Sequence, residues 1–378
     1  MIFYIFFFLN NIIQLNTLKN RIQTKIINNY KLFNNLNTVC ETDIKYNLNW
    51  HIIGEKKDFI PNKLNKISIF NNDYLVWFDD LKYYAMDNHC SHRGASLYLG
   101  ELKDNNVICP YHGYEFNKNG KLFKIPGLNF TEKNCYNQLT YNVIELNDWV
   151  YMNTISKELY EPNKINIYEE PEANDCSFSK ITLNVPFNAY GRIVTENSLD
   201  VMHIGFVHTF GNRENPSPIT ENPPKLVNDS LYHYKSVYTY NSGKDSMAKS
   251  IFSTDNLIIE NEFILPHTTV ARVKFGNYTS TVITNVLPIN NTNSKLFIKT
   301  YRNFWNSKDI SLFDNLYNSV GDKITKDMMY NTVIQDKNVV ENIKQKYAYG
   351  KFNMKYDKLQ NVYRTFYKRL INDIKEND

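Results

Sequence analysis

Long blocks of one charge are missing from this chain of 378 residues. Its 43 Lys and Arg stand against 39 Asp and Glu, for a net charge of +4, and no long basic run occurs. A nucleic-acid partner is therefore not expected, because that binding needs positive charge concentrated on one surface. Cysteine is scarce. The five present, Cys40, Cys90, Cys109, Cys135 and Cys176, are odd in number and scattered. That argues against a disulfide framework and fits an intracellular reducing compartment, cytoplasmic or organellar. Beyond the first residues no apolar run approaches the roughly 20 needed to span a bilayer. There is no G-x-G-x-x-G turn, no four-cysteine ferredoxin motif and no internal repeat.

What the chain has is aromatic and apolar mass. Aromatics make up 15%, with 28 Tyr and 23 Phe, and hydrophobic residues 42%. The length suits two domains of roughly 100–200 residues each. Residues 1–15, MIFYIFFFLNNIIQL, are strongly apolar, and Lys19, Arg21 and Lys25 follow. The run is too short for a comfortable span and lacks a charged n-region and a small-residue cleavage site. Residues 1–45 are read as an extension that is a targeting segment, a shallow membrane anchor or a disordered leader.

From Trp50 the pattern is short strands and tight turns. Strands are expected at 66–70, 74–78 and 82–86, separated by Asn71-Asn72-Asp73 and Asp79-Asp80. Asn105-Asn106 is read as a turn into 107–108. Runs 114–116 and 121–125 flank Asn119-Gly120, and 141–146 and 149–152 flank Asn147-Asp148, both hairpin signals. The expectation is an antiparallel β domain over 46–155 and a charged linker over 156–175. A second domain then fills 176–378, with a helix near 192–207, long strands at 257–265, 268–275, 280–288 and 295–304, and helices over the last seventy residues.

The first chemical signal is CSHRGASLYLGELKDNNVICPYHG. Cys90 and His92 form a C-x-H pair, and Cys109 and His112 a C-x-x-H pair after a sixteen-residue spacer. A Cys₂His₂ zinc site uses the same donors. Zinc fingers usually place two to four residues inside each pair, whereas the first pair here has one. Pro110, Gly113 and Arg93-Gly94 also suit sharply bent loops around a flat, two-metal object. Two Cys on one iron and two His on the other is the Rieske [2Fe–2S] arrangement.

The second signal is ENSLDVMHIGFVH, residues 196–208. On a helix Asp200 and His203 are i and i+3 and share a face. His203 and His208 are five apart, about 140° around a regular helix. Both reach one metal only if the helix ends or bulges between them, which Gly205 would permit. Two His and a distant carboxylate make the facial triad of non-haem Fe(II) oxygenases. Asp336 is the chosen carboxylate, because it sits on an amphipathic helical stretch. Two His on a helix are more often core or surface residues, but an upstream one-electron cluster changes that weighting. Phe206, Phe210 and Trp305 are candidate pocket aromatics, with ordinary core packing as the alternative.

Taken together, C-x-H…C-P-Y-H-G followed by E-N-x-x-D-x-x-H-x(4)-H resembles the oxygenase (α) component of the Rieske non-haem iron oxygenases. The likeness runs from about Trp50 to the C-terminus, and the second motif looks nearest the group of pheophorbide a oxygenase, chlorophyllide a oxygenase and vanillate O-demethylase. Tyr114 departs from it, since many members carry Trp there, and no C-terminal membrane tail is evident. The resemblance implies an α+β protein with an antiparallel β Rieske domain and a helix-grip catalytic domain, usually a homotrimer. Cys90, His92, Cys109 and His112 would hold the [2Fe–2S] cluster, and His203, His208 and Asp336 a mononuclear Fe(II). The Asp200 carboxylate would accept from His203 and bridge it to His112 of a neighbouring subunit. Electrons would come from an external ferredoxin or flavin reductase, and O₂ would oxidise an organic, aromatic or tetrapyrrole-like substrate. A Rieske electron carrier with an inert second domain is the rival, and a regulatory protein that lost catalysis a third reading.

Overall fold

The computed structural model describes residues 47–128, 136–159, 165, 167–227, 232–243, 246–307, 312–348 and 355–370. The expectations for residues 1–45, including Cys40, and for Cys135 lie outside these.

Strands β1 (Trp50–Glu55), β2 (Asn65–Ile69), β3 (Asn72–Phe78) and β4 (Tyr83–Asp87) open the first half. Short strands β5 (Glu101–Lys103), β6 (Asn106–Ile108), β7 (Glu115–Phe116) and β8 (Leu122–Lys124) follow, then β9 (Thr140–Leu146) and β10 (Trp149–Ser156). They form a six-stranded sheet in the order β1-β10-β9-β4-β3-β2 and a four-stranded one in the order β5-β6-β7-β8. The smaller sheet is inserted between β4 and β9 and carries the Cys/His loops on its connections. The hairpin read at Asn147-Asp148 is present, both residues left-handed at φ 50° and 68°, the geometry a two-residue turn of this hand requires. Two other turns sit one residue earlier than expected. Phe70-Asn71 and Asp104-Asn105 are the left-handed pairs, so β3 starts at Asn72 and β6 at Asn106. Asn and Asp are so dense there that composition alone does not set the register.

The second half is one seven-stranded antiparallel sheet. Its strands are β11 (Ser179–Phe187), β12 (Thr220–Leu226), β13 (His233–Asn241), β14 (Asn256–Ile264), β15 (Thr268–Phe275), β16 (Tyr278–Pro288) and β17 (Ser294–Arg302). Their order is β11-β17-β16-β15-β14-β13-β12. Strands β11 and β12 were not individually legible, β12 because Pro223-Pro224 break its pattern at an edge, where a missing N–H is tolerated. Helix α1 (Gly191–Leu199) packs on β16, and the long α2 (Leu312–Val340) packs on β11. The α+β class and the packing of helices on an antiparallel sheet in the second half are as read from the sequence. The helix expected at 192–207 is not continuous, because it stops at Leu199 and resumes only for Ile204–Val207.

Both faces of the large sheet are covered. One apolar core runs through the two halves, joining Ile52, Trp149 and Met152 to Val270, Ile283 and Phe297. Polar groups stitch the same face. Glu55 accepts from Thr182 Oγ1 at 2.7 Å and Asn184 Nδ2 at 2.8 Å, both on β11. Lys299, fully buried, donates to Asn147 O and to Glu170 Oε1, each at 2.7 Å, and lies 4.1 Å over the Trp149 ring. Tyr301 donates to Glu170 Oε2 at 2.6 Å. Arg272 meets Glu172 at 2.7 Å and Glu262 at 2.5 Å. The segment around Glu170 and Glu172, expected only as a charged linker, therefore delivers two buried carboxylates to the sheet. Truncating Lys299 leaves the Glu170 charge buried and unpaired, so Lys299→Met is expected to cost about 3–5 kcal/mol in urea unfolding. The double variant Lys299→Met/Glu170→Gln is expected to recover most of that loss.

Candidate metal centres

The two Cys/His loops are built alike. In the first, Cys90 N donates to Ala95 O at 2.8 Å and Gly94 N to Cys90 O at 2.7 Å. In the second, Cys109 N donates to Tyr114 O at 2.8 Å and Gly113 N to Cys109 O at 3.0 Å. Each turn closes on a left-handed glycine, Gly94 at φ 72° and Gly113 at φ 67°, which other residues rarely adopt. Cys90 and Cys109 are buried in a cluster with Trp77, Leu97, Phe116 and Leu122. His92 is half-buried and His112 exposed, with ring centroids 4.8 Å apart. Tyr114 lies flat on His92, at 4.5 Å and 2° between planes. The Trp-to-Tyr departure therefore still supplies a stacking ring.

The four side chains form two pairs, thiols inside and imidazoles outside. Burial, followed by the neighbouring Cys109, pushes the Cys90 thiol up to about 11. Burial, with His112 and Arg93 beside it, pulls His92 below its usual value. The His92 Nδ1 atom is buried without a partner. Two buried thiols and two outward imidazoles are the donor set of a Rieske iron–sulfur group. A single tetrahedral zinc would draw four donors to within roughly 4 Å of each other. Among the described residues, the one group of three or more His, Cys, Asp or Glu whose donor atoms lie within 4.8 Å of each other is elsewhere. The paired geometry fits a two-metal group.

That other group is His203, His208 and Asp336. Asp336 Oδ1 lies 3.3 Å from His203 Nε2 and 3.5 Å from His208 Nε2. It is buried and makes no well-aligned hydrogen bond, an orphan between two imidazoles. Such an arrangement fits one cation with positions left open. The helix break makes the convergence possible. His203 follows the three-residue interruption after Leu199, and His208 ends the short helix Ile204–Val207. Gly205 serves close packing rather than a bulge, since a Cβ there would meet Pro216 Cβ at 2.6 Å. Asp336 is on α2, on one stripe with Met329 and Val333, which bury against β11 and β17 residues. Asp327, on the same helix, is exposed.

The second ring nitrogens are also held. His203 Nδ1 is 2.7 Å from the backbone oxygen of Asp200. His208 Nδ1 is 3.2 Å from Gln335 Oε1, a partner the sequence did not single out although it adjoins Asp336. The expected Asp200 carboxylate contact to the His203 ring is corrected by this geometry. The carboxylate lies 4.0 Å from Nδ1, and its Oδ1 instead accepts Met202 N at 2.8 Å and His203 N at 3.2 Å. With the helix ended at Leu199, the i, i+3 face is lost and the side chain caps the next turn. Burial works against charge on both rings. For His203 the Asp336 carboxylate outweighs it and raises the pKa, whereas for His208 burial prevails and lowers it.

A cavity of about 340 Å³ opens beside the three residues, between α2 and the large sheet. Phe210 lines it and stacks on His208 with ring centroids 5.0 Å apart. Of the other two aromatics expected there, Phe206 is exposed and Trp305 packs with Ala248, Phe275 and Phe304.

Residues 49–136 match the Rieske [2Fe-2S] domain family. The chain is 27% identical over 166 residues to a 3-ketosteroid-9-alpha-monooxygenase oxygenase component of Rhodococcus rhodochrous, covering 42% of this chain and 43% of that protein. It is 28% identical over 132 residues to the vanillate O-demethylase oxygenase subunit of Pseudomonas sp. (strain HR199 / DSM 7063), covering 34% and 36%. The chain thus spans less than half the length of these curated relatives. Among solved structures, dicamba monooxygenase bound to dicamba superposes with a TM-score of 0.69 at 16% identity, over 86% of this chain and 98% of the other. NdmA of Pseudomonas putida CBB5 with caffeine gives 0.68 at 20%, over 88% and 94%. The fold of both halves is shared with these proteins.

Asp336→Ala is expected to abolish mononuclear iron while leaving the visible absorption of the cluster intact, read by iron and acid-labile sulfide assays. Gln335→Leu, which frees His208 Nδ1, is expected to weaken iron about 10–100-fold, as loss of such an orienting contact does. Cys109→Ser is expected to remove the cluster absorption altogether.

Proposed function

We propose that this chain, which carries a Rieske [2Fe–2S] domain and shares its fold with oxygenase components, is the terminal oxygenase of a multicomponent system. It would hydroxylate or demethylate a small organic substrate. The observation that carries the reading is Asp336 Oδ1 set between His203 Nε2 and His208 Nε2 at the wall of a cavity. In this reading Cys90, Cys109, His92 and His112 hold the cluster, and His203, His208 and Asp336 hold the iron. Bound there, the cluster supplies single electrons and the Fe(II) supplies O₂ activation.

The protein's own part is placement. Asp200 O and Gln335 Oε1 fix the two imidazoles so that each offers Nε2 inward. A largely apolar stretch of cavity wall lies beside the region where the iron would sit. Electrons would reach the cluster from an external ferredoxin or flavin reductase. No G-x-G-x-x-G sequence occurs in the chain. The Asp200 side chain is one-third exposed, which leaves it accessible to His112 of a second copy in a homotrimer. A pure electron carrier would have no use for the converged triad. No helix among the described residues is long and apolar enough to cross a membrane.

The test is anaerobic reduction of the purified protein, then O₂ uptake with candidate substrates and mass analysis of products. Substrate-dependent uptake and an oxygenated or demethylated product are expected, lost in Asp336→Ala although its cluster still reduces. Cluster turnover with no mononuclear iron in the wild-type protein would establish the electron-carrier reading instead.

A further inference from the structure

Three residues separate the end of α1 from His203, and the turn they make decides where that ring points. Its shape is set from within. The Asp200 carboxylate accepts from Met202 N and His203 N, and the Asp200 carbonyl faces His203 Nδ1. Contacts inside a turn fix its conformation but not its position relative to α2, which carries Asp336.

Position comes from the sheet. Tyr240 on β13 donates its hydroxyl to Val201 O at 3.2 Å, a buried bond between residues 39 apart in the chain. The direction is unambiguous, because a carbonyl can only accept. Burial, then the nearby Tyr238 and Asp200, hold the phenol well above its usual value, so it remains a donor throughout the neutral range. Val201 and Met202 share an apolar cluster with Tyr238, Tyr240, Leu257 and Ile259, which seats the turn on the sheet. Period-two alternation puts Tyr238 and Tyr240 on one face of β13, paired with Ile259 and Leu257 of β14. A helix end leaves its last carbonyls without partners inside the helix. Here distant side chains supply donors. Gln360 Nε2 meets Glu196 O at 3.1 Å, and Tyr240 meets Val201 O just beyond the end.

We propose that Tyr240 is a positioning residue for the mononuclear site, its hydroxyl anchoring Val201 O so that His203 Nε2 is aimed at Asp336. The inference rests on reading His203, His208 and Asp336 as the iron site. Val201 O lies two residues before the ring it steadies. Without the hydroxyl this buried carbonyl loses that donor, and the turn shifts to find another. The rival explanation is packing alone, in which the ring fills the cluster and the hydroxyl bond is incidental. Tyr240→Phe separates the two, because it keeps the ring and removes the hydroxyl.

The experiment uses the full-length wild type, Tyr240→Phe and, as a control, Tyr238→Phe, which loses a hydroxyl from the same cluster. Fe(II) affinity is read anaerobically by chelator competition, and the bound iron by its near-infrared ligand-field bands. Hydrogen exchange over residues 200–204 is read by mass spectrometry on protein free of mononuclear iron. Tyr240→Phe is expected to bind Fe(II) about tenfold more weakly, with shifted bands. Its exchange over 200–204 should quicken about tenfold, the scale of one buried hydrogen bond. Tyr238→Phe should match the wild type in all three measurements. Unchanged affinity and bands in Tyr240→Phe, unchanged exchange, or equal weakening in Tyr238→Phe would each overturn the proposal. So would loss of the cluster absorption in Tyr240→Phe, which would make the role a structural one. A wild-type protein that binds no Fe(II) would fail the iron reading alone, because the exchange measurement tests the anchor without metal.

Discussion

The seven-stranded sheet has two buried faces, and that constraint organises the molecule. Successive side chains on a strand point to opposite sides, so each of β13 to β17 must serve two environments at once. Odd members of β14, Leu257, Ile259 and Asn261, line the cavity. Even members, Glu260 and Glu262, meet Lys235, Lys274, Arg272 and His233 on the far side. A shift of one residue would put carboxylates against the triad and aliphatics against the ion pairs. The buried charges Lys299, Glu170 and Glu172, with the partly exposed Arg272, thus hold a register as well as joining the two halves.

Register in turn determines the chemistry of the second metal centre. Its donors come from a broken helix and from a long helix more than a hundred residues later. They meet because α1 packs on β16 and α2 on β11 of the same sheet. The orienting contacts are backbone and amide groups, Asp200 O and Gln335 Oε1, which are neutral. That leaves Asp336 as the carboxylate between the rings. At the first centre the order is reversed. Two hydrogen-bonded turns of the same design set the donors locally, and the fold only buries the thiols and exposes one imidazole.

The contrast explains what was legible. Loops such as 90–95 and 109–114 are local objects, defined by donor spacing and by glycines that must be left-handed. Most strands were also visible, because alternation and Asn/Asp turns are short-range signals, whereas β11 and β12 were not. Turn register was not, since Phe70-Asn71 and Asp104-Asn105 sit in Asn-rich stretches that would accept neighbouring registers. The interruption after Leu199 was also hidden. Nothing in SLDVMH forbids helix, and the break is favoured only once the Asp200 carboxylate caps Met202 and His203 and the Asp200 carbonyl meets the His203 ring.

The sequence by itself determined the donor types, their spacing, the α+β class and the separation into two metal-binding motifs, since these depend on residues close together in the chain. Only the tertiary structure decided which oxygen of Asp200 faces His203, that Gln335 supports His208, that Phe210 and not Phe206 or Trp305 lines the cavity, and that the segment around Glu170 and Glu172 is buried. Each of those outcomes depends on which sheet face or helix stripe lies opposite, and that is fixed by the packing of elements far apart in the chain.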